Sequence, residues 1–333
     1  MSDRPLRAVA LGGGHGLHAS LSALRLLTAD LTAVVTVADD GGSSGRIRRE
    51  LKVLPPGDLR MALAALAGTA PEHQRWVDLL QHRIGGSGVL AGHPVGNLML
   101  TALLEREIDP ELALAQLGDL VGAVGRVLPM SPIPLDLIAE ADRFDPDDVA
   151  RTRHIRGQSS IAATPGRVRA VSLLPPGAPA CASAVDAVRE ADLVVLGPGS
   201  WFTSVIPHLL LRELGTALCA TPARVLVVLN LVPQVGETDD YAPHQLLDLL
   251  REHAAPYGGL HIDVVIADTG SVLDPEPLRR HVSEIGARLV VSRLAAEDSV
   301  ERHDAARLSA AIRDAMDVSD RSGGSDGRAQ RWR

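Results

Sequence analysis

In the first fifty residues of this 333-residue chain, two glycine-rich turns each follow an apolar, strand-like run. Ala8-Val9-Ala10-Leu11 leads into Gly12-Gly13-Gly14-His15-Gly16, and Val34-Val35-Thr36-Val37 leads into Ala38-Asp39-Asp40-Gly41-Gly42-Ser43-Ser44-Gly45-Arg46. Such turns let backbone N–H groups approach phosphate oxygens, and the helix that follows points the positive end of its dipole at them. Two on successive strands, the second carrying carboxylates, hydroxyls and a guanidinium, suggest a site for a diphosphate-bearing ligand. The plain alternative is that the glycines serve only tight turns. A third turn, Gly197-Pro198-Gly199-Ser200, follows the apolar run Leu193–Leu196, and Asn230 closes the next run.

The residues divide by chemistry. Gly13, Gly14, Gly16, Gly42, Ser43, Ser44 and Gly199 are assigned to a diphosphate cradle, with Gly41, Gly45, Gly197 and Ser200 completing its turns and Arg46 offsetting phosphate charge. His15 either donates to phosphate or simply tolerates the turn geometry. Asp39 and Asp40 have three open roles: holding a divalent cation such as Mg²⁺, capping the next turn, or binding a ribose hydroxyl. If the chain is an enzyme, they are also its candidate base or metal site. Asp58 is placed as a helix N-cap, Arg60 at the phosphate side or in solvent, and Asn97 as a helix cap or a ligand-facing amide. Gly14-His15-Gly16-Leu17-His18-Ala19 also fits GxGxxA, which keeps a nicotinamide-dependent oxidoreductase as an alternative. No GxxxxGK[ST], HExxH or GxSxG sequence occurs.

Buried strands must carry these turns. Apolar runs at 8–11, 33–37, 193–196, 225–229, 262–267 and 288–291 are too continuously apolar for strands with one wet face. Helical periodicity fills 18–27, 58–66, 97–105, 204–214, 243–253, 276–285 and 304–315. The alternation implies an α/β fold: a Rossmann-like three-layer sandwich with a mostly parallel sheet, whose ligands gather beyond the strands' carboxyl ends. Residues 1–316 are expected to form one domain. Within it the proline-rich stretch at about 129–180 reads as a small inserted antiparallel or lid subdomain, and 317–333 as a disordered tail.

Net charge of −8 and 2% aromatics argue against a nucleic-acid surface. Lys52 is the only lysine, so basic ligand contacts fall to arginine. Two cysteines outside any CxxC spacing, no signal-peptide pattern and no apolar run near the roughly 20 residues of a membrane span point to a cytoplasmic protein.

Together the three turns, Leu54-Pro55-Pro56-Gly57-Asp58-Leu59-Arg60 and Gly236-Glu237-Thr238-Asp239 resemble the YvcK or gluconeogenesis factor proteins, relatives of the CofD 2-phospho-L-lactate transferases. The resemblance runs from about Arg7 to about Ala315, and the arginine-rich composition suggests an actinobacterial member. It implies binding of a UDP-sugar, notably UDP-N-acetylglucosamine or UDP-glucose, and a role in cell shape and wall synthesis on gluconeogenic carbon sources. No cofactor is required on this view. A CofD-like transfer of a phosphate-containing group is the alternative, and self-association and a regulatory or cell-wall protein partner stay open. Arg302, in Arg302-His303-Asp304, matches a family position linked to UDP-sugar binding. The chain departs from the family pattern at His15, Trp201-Phe202 and His208.

Overall fold

The computed structural model describes residues 4–144, 151–234 and 237–317. The tail expected at 317–333 lies outside these residues, except for Asp317, which ends a helix. In chain order the strands are β1 (Ala8–Gly12), β2 (Leu31–Val35), β3 (Arg126–Pro129), β4 (Asp136–Asp142), β5 (Arg153–Arg156) and β6 (Arg167–Leu174), followed by β7 (Leu193–Leu196), β8 (Arg224–Val228), β9 (Val264–Asp268) and β10 (Arg288–Ser292). A short hairpin, β11 (Ala295–Ala296) and β12 (Ser299–His303), precedes the last helix, Ala305–Asp317.

Seven strands form one wholly parallel sheet in the order β10-β9-β8-β7-β1-β2-β3. Every residue of β1, β2, β7 and β9 is buried, because helices cover both faces of the sheet. Their sequences are dominated by Val, Leu, Ile and Ala for that reason. The edge strand β10 is half-buried along its length. From β1 the chain adds strands outward through β2 to β3, and from β7 outward on the other side through β8 and β9 to β10. The strand order therefore reverses between β1 and β7, and a crevice opens at their carboxyl ends.

Several elements differ from the sequence expectation. The second glycine turn enters a helix almost at once, α2 (Gly42–Glu50), a segment outside the expected helical stretches. The helix expected at 204–214 is broken: a π-turn covers Trp201–Val205, and separate helices follow at Pro207–Leu210 and Arg212–Ala220. Pro207 has no N–H to continue the first segment, so it opens a new one. β3 carries no recognisable apolar run, because only four residues form it and Arg126 and Pro129 bound it.

Strands β5-β4-β6 make a separate antiparallel sheet. It is tied to α2 through Arg48, whose Nη2 donates to Leu135 O at 2.9 Å and to an Asp136 carboxylate oxygen at 2.7 Å. No helix among the described residues is long and apolar enough to cross a membrane.

The first helix, α1 (Gly14–Leu24), starts where the β1 turn meets the turn after β7. A Cβ on Gly16 would lie 2.2 Å from Pro198 O and 2.6 Å from the Gly199 Cα. Ser20 locks the same junction by donating to Gly197 O at 2.6 Å. Because the obstructing atoms are backbone, Gly16→Ala is expected to destabilise the protein by about 2–4 kcal/mol in urea unfolding.

Candidate functional site

A cleft of about 910 Å³ opens over this junction. Its walls include His15, Gly16 and His18 from α1, Pro198 and Gly199 from the β7 turn, and Asn230 after β8. Arg60, Arg83, Arg302 and His303 complete them. Among the described residues, the backbone N–H groups of His15 and Gly16 have no acceptor, as the first turn of a helix leaves them. They sit at the positive end of α1, on the cleft.

Under α1 lies Asp58, in the first turn of α3 (Pro56–Leu66). Pro55, not Asp58, is the residue capping that helix. Asp58 instead points at the first glycine turn, where it accepts from the Gly14 N–H and from Thr36 Oγ1 at 3.2 Å. A Cβ on Gly13 would fall 2.5 Å from both the Asp58 carboxylate and Thr36 Oγ1, so glycine there admits the buried acid. Burial, and then the charge of Asp39, push the Asp58 carboxyl up to about 7. Asp39 is raised too, chiefly by burial.

The third turn is held by its neighbours. Asn230 accepts from Gly199 N at 2.8 Å and donates to Gly199 O at 3.0 Å, as a paired strand residue would. The Gly199 N–H is therefore spent on Asn230 rather than free for phosphate. The Ser200 hydroxyl is equally committed: it accepts from Thr203 N at 3.0 Å and bonds the buried Glu237 carboxylate. Glu237 also accepts from Phe202 N at 2.9 Å, tying down the π-turn. Burial raises its pKa. Trp201, Phe202 and His208, the departures from the family pattern, are all core residues.

Arg302 lies on the opposite wall, on β12, with its guanidinium paired to the Asp298 carboxylate of the same hairpin. The hairpin's base is fixed by Asp268, whose Oδ1 accepts from Leu294 N and Ala295 N. Beside Arg302, His303 keeps a buried Nε2 without a partner among the described residues, and burial pushes its pKa down to about 4. It is neutral at physiological pH.

The second glycine turn does not line this cleft. The first turn of α3 stands between it and the crevice, bonded to both: Gly57 N donates to Ser44 Oγ at 3.0 Å, and Asp58 reaches Gly14. Asp39 accepts from Gly41 N at 2.9 Å. Asp40 accepts from Ser159 N at 2.8 Å in the helix Gln158–Ala162. Their carboxylates serve different backbone partners, and no cluster of three or more metal-ligating side chains occurs among the described residues. Gly45 allows α2 to fold against its own turn, since a Cβ there would sit 1.8 Å from Asp40 O. Arg46 donates to Ala91 O at 2.9 Å. Asn97, in the first turn of the helix Val95–Arg106 that Pro94 caps, bridges two side chains instead of capping. The structure thus gathers His15, Gly16, Gly199, Asn230 and Arg302 on one cleft. It leaves Asp39, Asp40, the 41–46 segment and Asn97 behind it.

An all-parallel sheet with a cleft at its reversal point, over a helix N-terminus, makes this a Rossmann-like α/β protein. The family model described as 2-phospho-L-lactate transferase CofD matches residues 8–308, and the chain belongs to that family, in the gluconeogenesis factor (YvcK) branch. Gluconeogenesis factor of Bacillus subtilis is 36% identical over 87% of this chain and 86% of its own length. A Mycobacterium tuberculosis protein provisionally given the same name is 52% identical over 91% of this chain and 88% of its own. A crystal structure of a UPF0052 family member from Bacillus halodurans superposes with a TM-score of 0.81 at 31% identity, covering 93% of this chain and 99% of that one.

Asp58 yields a signed pH test. Its carboxyl titrates near pH 7 in the fold and near 4 when unfolded, so across that interval the folded state holds the extra proton. Its contribution to stability is complete at low pH and declines as pH rises from about 4 to about 7. Asp58→Asn keeps the shape without the charge, so its stability relative to the parent is expected to grow by roughly 1–3 kcal/mol between pH 4 and pH 8. Urea unfolding at both pH values measures the difference.

Proposed function

We propose that the chain is a cytoplasmic nucleotide-sugar-binding protein whose cleft takes UDP-N-acetylglucosamine or the related UDP-glucose. Through that ligand it supports cell morphogenesis and wall synthesis during gluconeogenic growth. The observation that carries this reading is the convergence, at the sheet's reversal point, of the free His15 and Gly16 N–H groups with Arg60, Arg83 and Arg302. Donors and guanidinium groups in that arrangement suit a diphosphate. The volume of about 910 Å³ is in the range of nucleotide and cofactor sites. His303 adds a neutral acceptor at the same wall, suited to an N–H or O–H of the base or sugar.

Titration calorimetry with UDP-N-acetylglucosamine, UDP-glucose, GDP and NADP tests the reading. Saturable heat with a UDP-sugar, weakened roughly tenfold or more in Arg302→Ala, is the expected result. No heat and no thermal shift with any UDP-sugar would refute it.

The buried Asp58, raised to about 7 beside the half-buried Asp39, favours a second reading as a CofD-like transferase in which a carboxylate accepts the proton of an attacking hydroxyl. That reading requires turnover of a phosphate-bearing donor, lost in Asp58→Asn while ligand binding persists.

A further inference from the structure

Arg60 is the least satisfied cation of the cleft. The residue is 5% exposed and lines the cavity, yet among the described residues its buried Nη1 has no hydrogen-bond acceptor. No carboxylate forms an ion pair with it among the described residues. Burial and the neighbouring Arg83 lower its pKa to about 10, so it remains charged at neutral pH. Asp58 attracts it without reaching ion-pair contact, and a buried charge that lacks a paired partner is expensive to maintain. The expense is relieved when an anion enters beside it.

A buried hydrogen-bonded chain holds that guanidinium in place. Arg60 Nε donates to Asn97 Oδ1 at 2.8 Å, and Asn97 Nδ2 donates to Ser43 Oγ at 2.9 Å. The Ser43 hydroxyl and His93 Nδ1 share the next bond at 2.7 Å, its direction set by the imidazole tautomer. Arg60, Asn97, Ser43 and His93 are all at least nine-tenths buried, so no water competes for these bonds.

We propose that Arg60 is the anion-binding side chain of the cleft, seating a ligand phosphate beside the α1 N-terminus, and that Ser43 and Asn97 are positioning residues that aim it. The anion seat rests on the cleft of the proposed function and names the group that reads the ligand's charge. Ser43, a member of the second glycine turn, acts on the ligand only through Arg60.

The test is calorimetry of the intact chain with inorganic pyrophosphate, UDP and UDP-N-acetylglucosamine, each variant checked by thermal melting. The parent is expected to bind pyrophosphate, and Arg60→Met to bind all three ligands roughly tenfold or more weakly. Arg60→Lys retains the charge without the planar fork, so it should recover part of that loss. Ser43→Ala should weaken binding by roughly three- to tenfold in the Arg60 parent and have no further effect in Arg60→Met, the non-additivity expected of residues acting through one another. A purely structural Ser43 would weaken both backgrounds equally, which overturns the positioning role. Should Arg60→Met fail to fold, Arg60→Lys and Ser43→Ala carry the comparison. Unchanged binding in the folded Arg60 variants, or no pyrophosphate binding by the parent, overturns the anion seat. Pyrophosphate bound through Arg60 with no response to UDP or UDP-N-acetylglucosamine upholds the seat and refutes the nucleotide-sugar reading.

Discussion

Two backbone turns pressed together at the centre of the sheet govern the rest of this structure. The turn after β1 and the turn after β7 meet where Gly16 faces Pro198 and Gly199, at a separation no side chain can enter. That contact sets the start of α1, and so aims the free N–H groups of His15 and Gly16 into the crevice. The same contact holds Gly199 where Asn230 can brace it on both backbone edges. A side chain at Gly16 would act on the fold and the cleft together, because they share one joint.

Behind that joint, the first turn of α3 concentrates the molecule's electrostatic tension. Within three residues it buries a carboxyl and a guanidinium, Asp58 and Arg60, that face different partners. Asp58 is tolerated because its pKa rises and because the α1 terminus and Thr36 donate to it. Among the described residues Arg60 has only the Asn97 amide oxygen as acceptor, and its orphaned Nη1 is an unmet demand beside the cleft. What distinguishes Arg60 among such groups is that it faces the cleft. The mycobacterial and Bacillus relatives match over most of the chain, so the comparison reaches the cleft and the elements that carry it.

Much of this was legible in the residues alone. Six of the seven central strands announced themselves as apolar runs, since a strand covered on both faces leaves no polar position to blur the signal. The glycine turns were visible because glycine is required wherever backbone meets backbone, as at Gly16 and Gly45. Turn chemistry does not reveal what a turn faces, however. Asp39-Asp40-Gly41-Gly42-Ser43-Ser44 has the composition of a phosphate cradle, yet its hydroxyls and carboxylates are bonded to Gly57, His93, Gly41 and Ser159.

The sequence by itself determined the parallel α/β architecture, the strand-end position of each turn and the shortage of any cation but arginine. Each is a property of local composition and periodicity, which a linear chain displays directly. The tertiary structure alone decided which turns share a cleft and which group meets the ligand. It placed α3 between the two glycine turns and brought Arg302 across from His15, through contacts spanning most of the chain. It also turned Arg60 inward and left one of its nitrogens without an acceptor. The physical reason is that burial and hydrogen-bond satisfaction are properties of assembled neighbours, and no spacing along the chain encodes which donor will be left over.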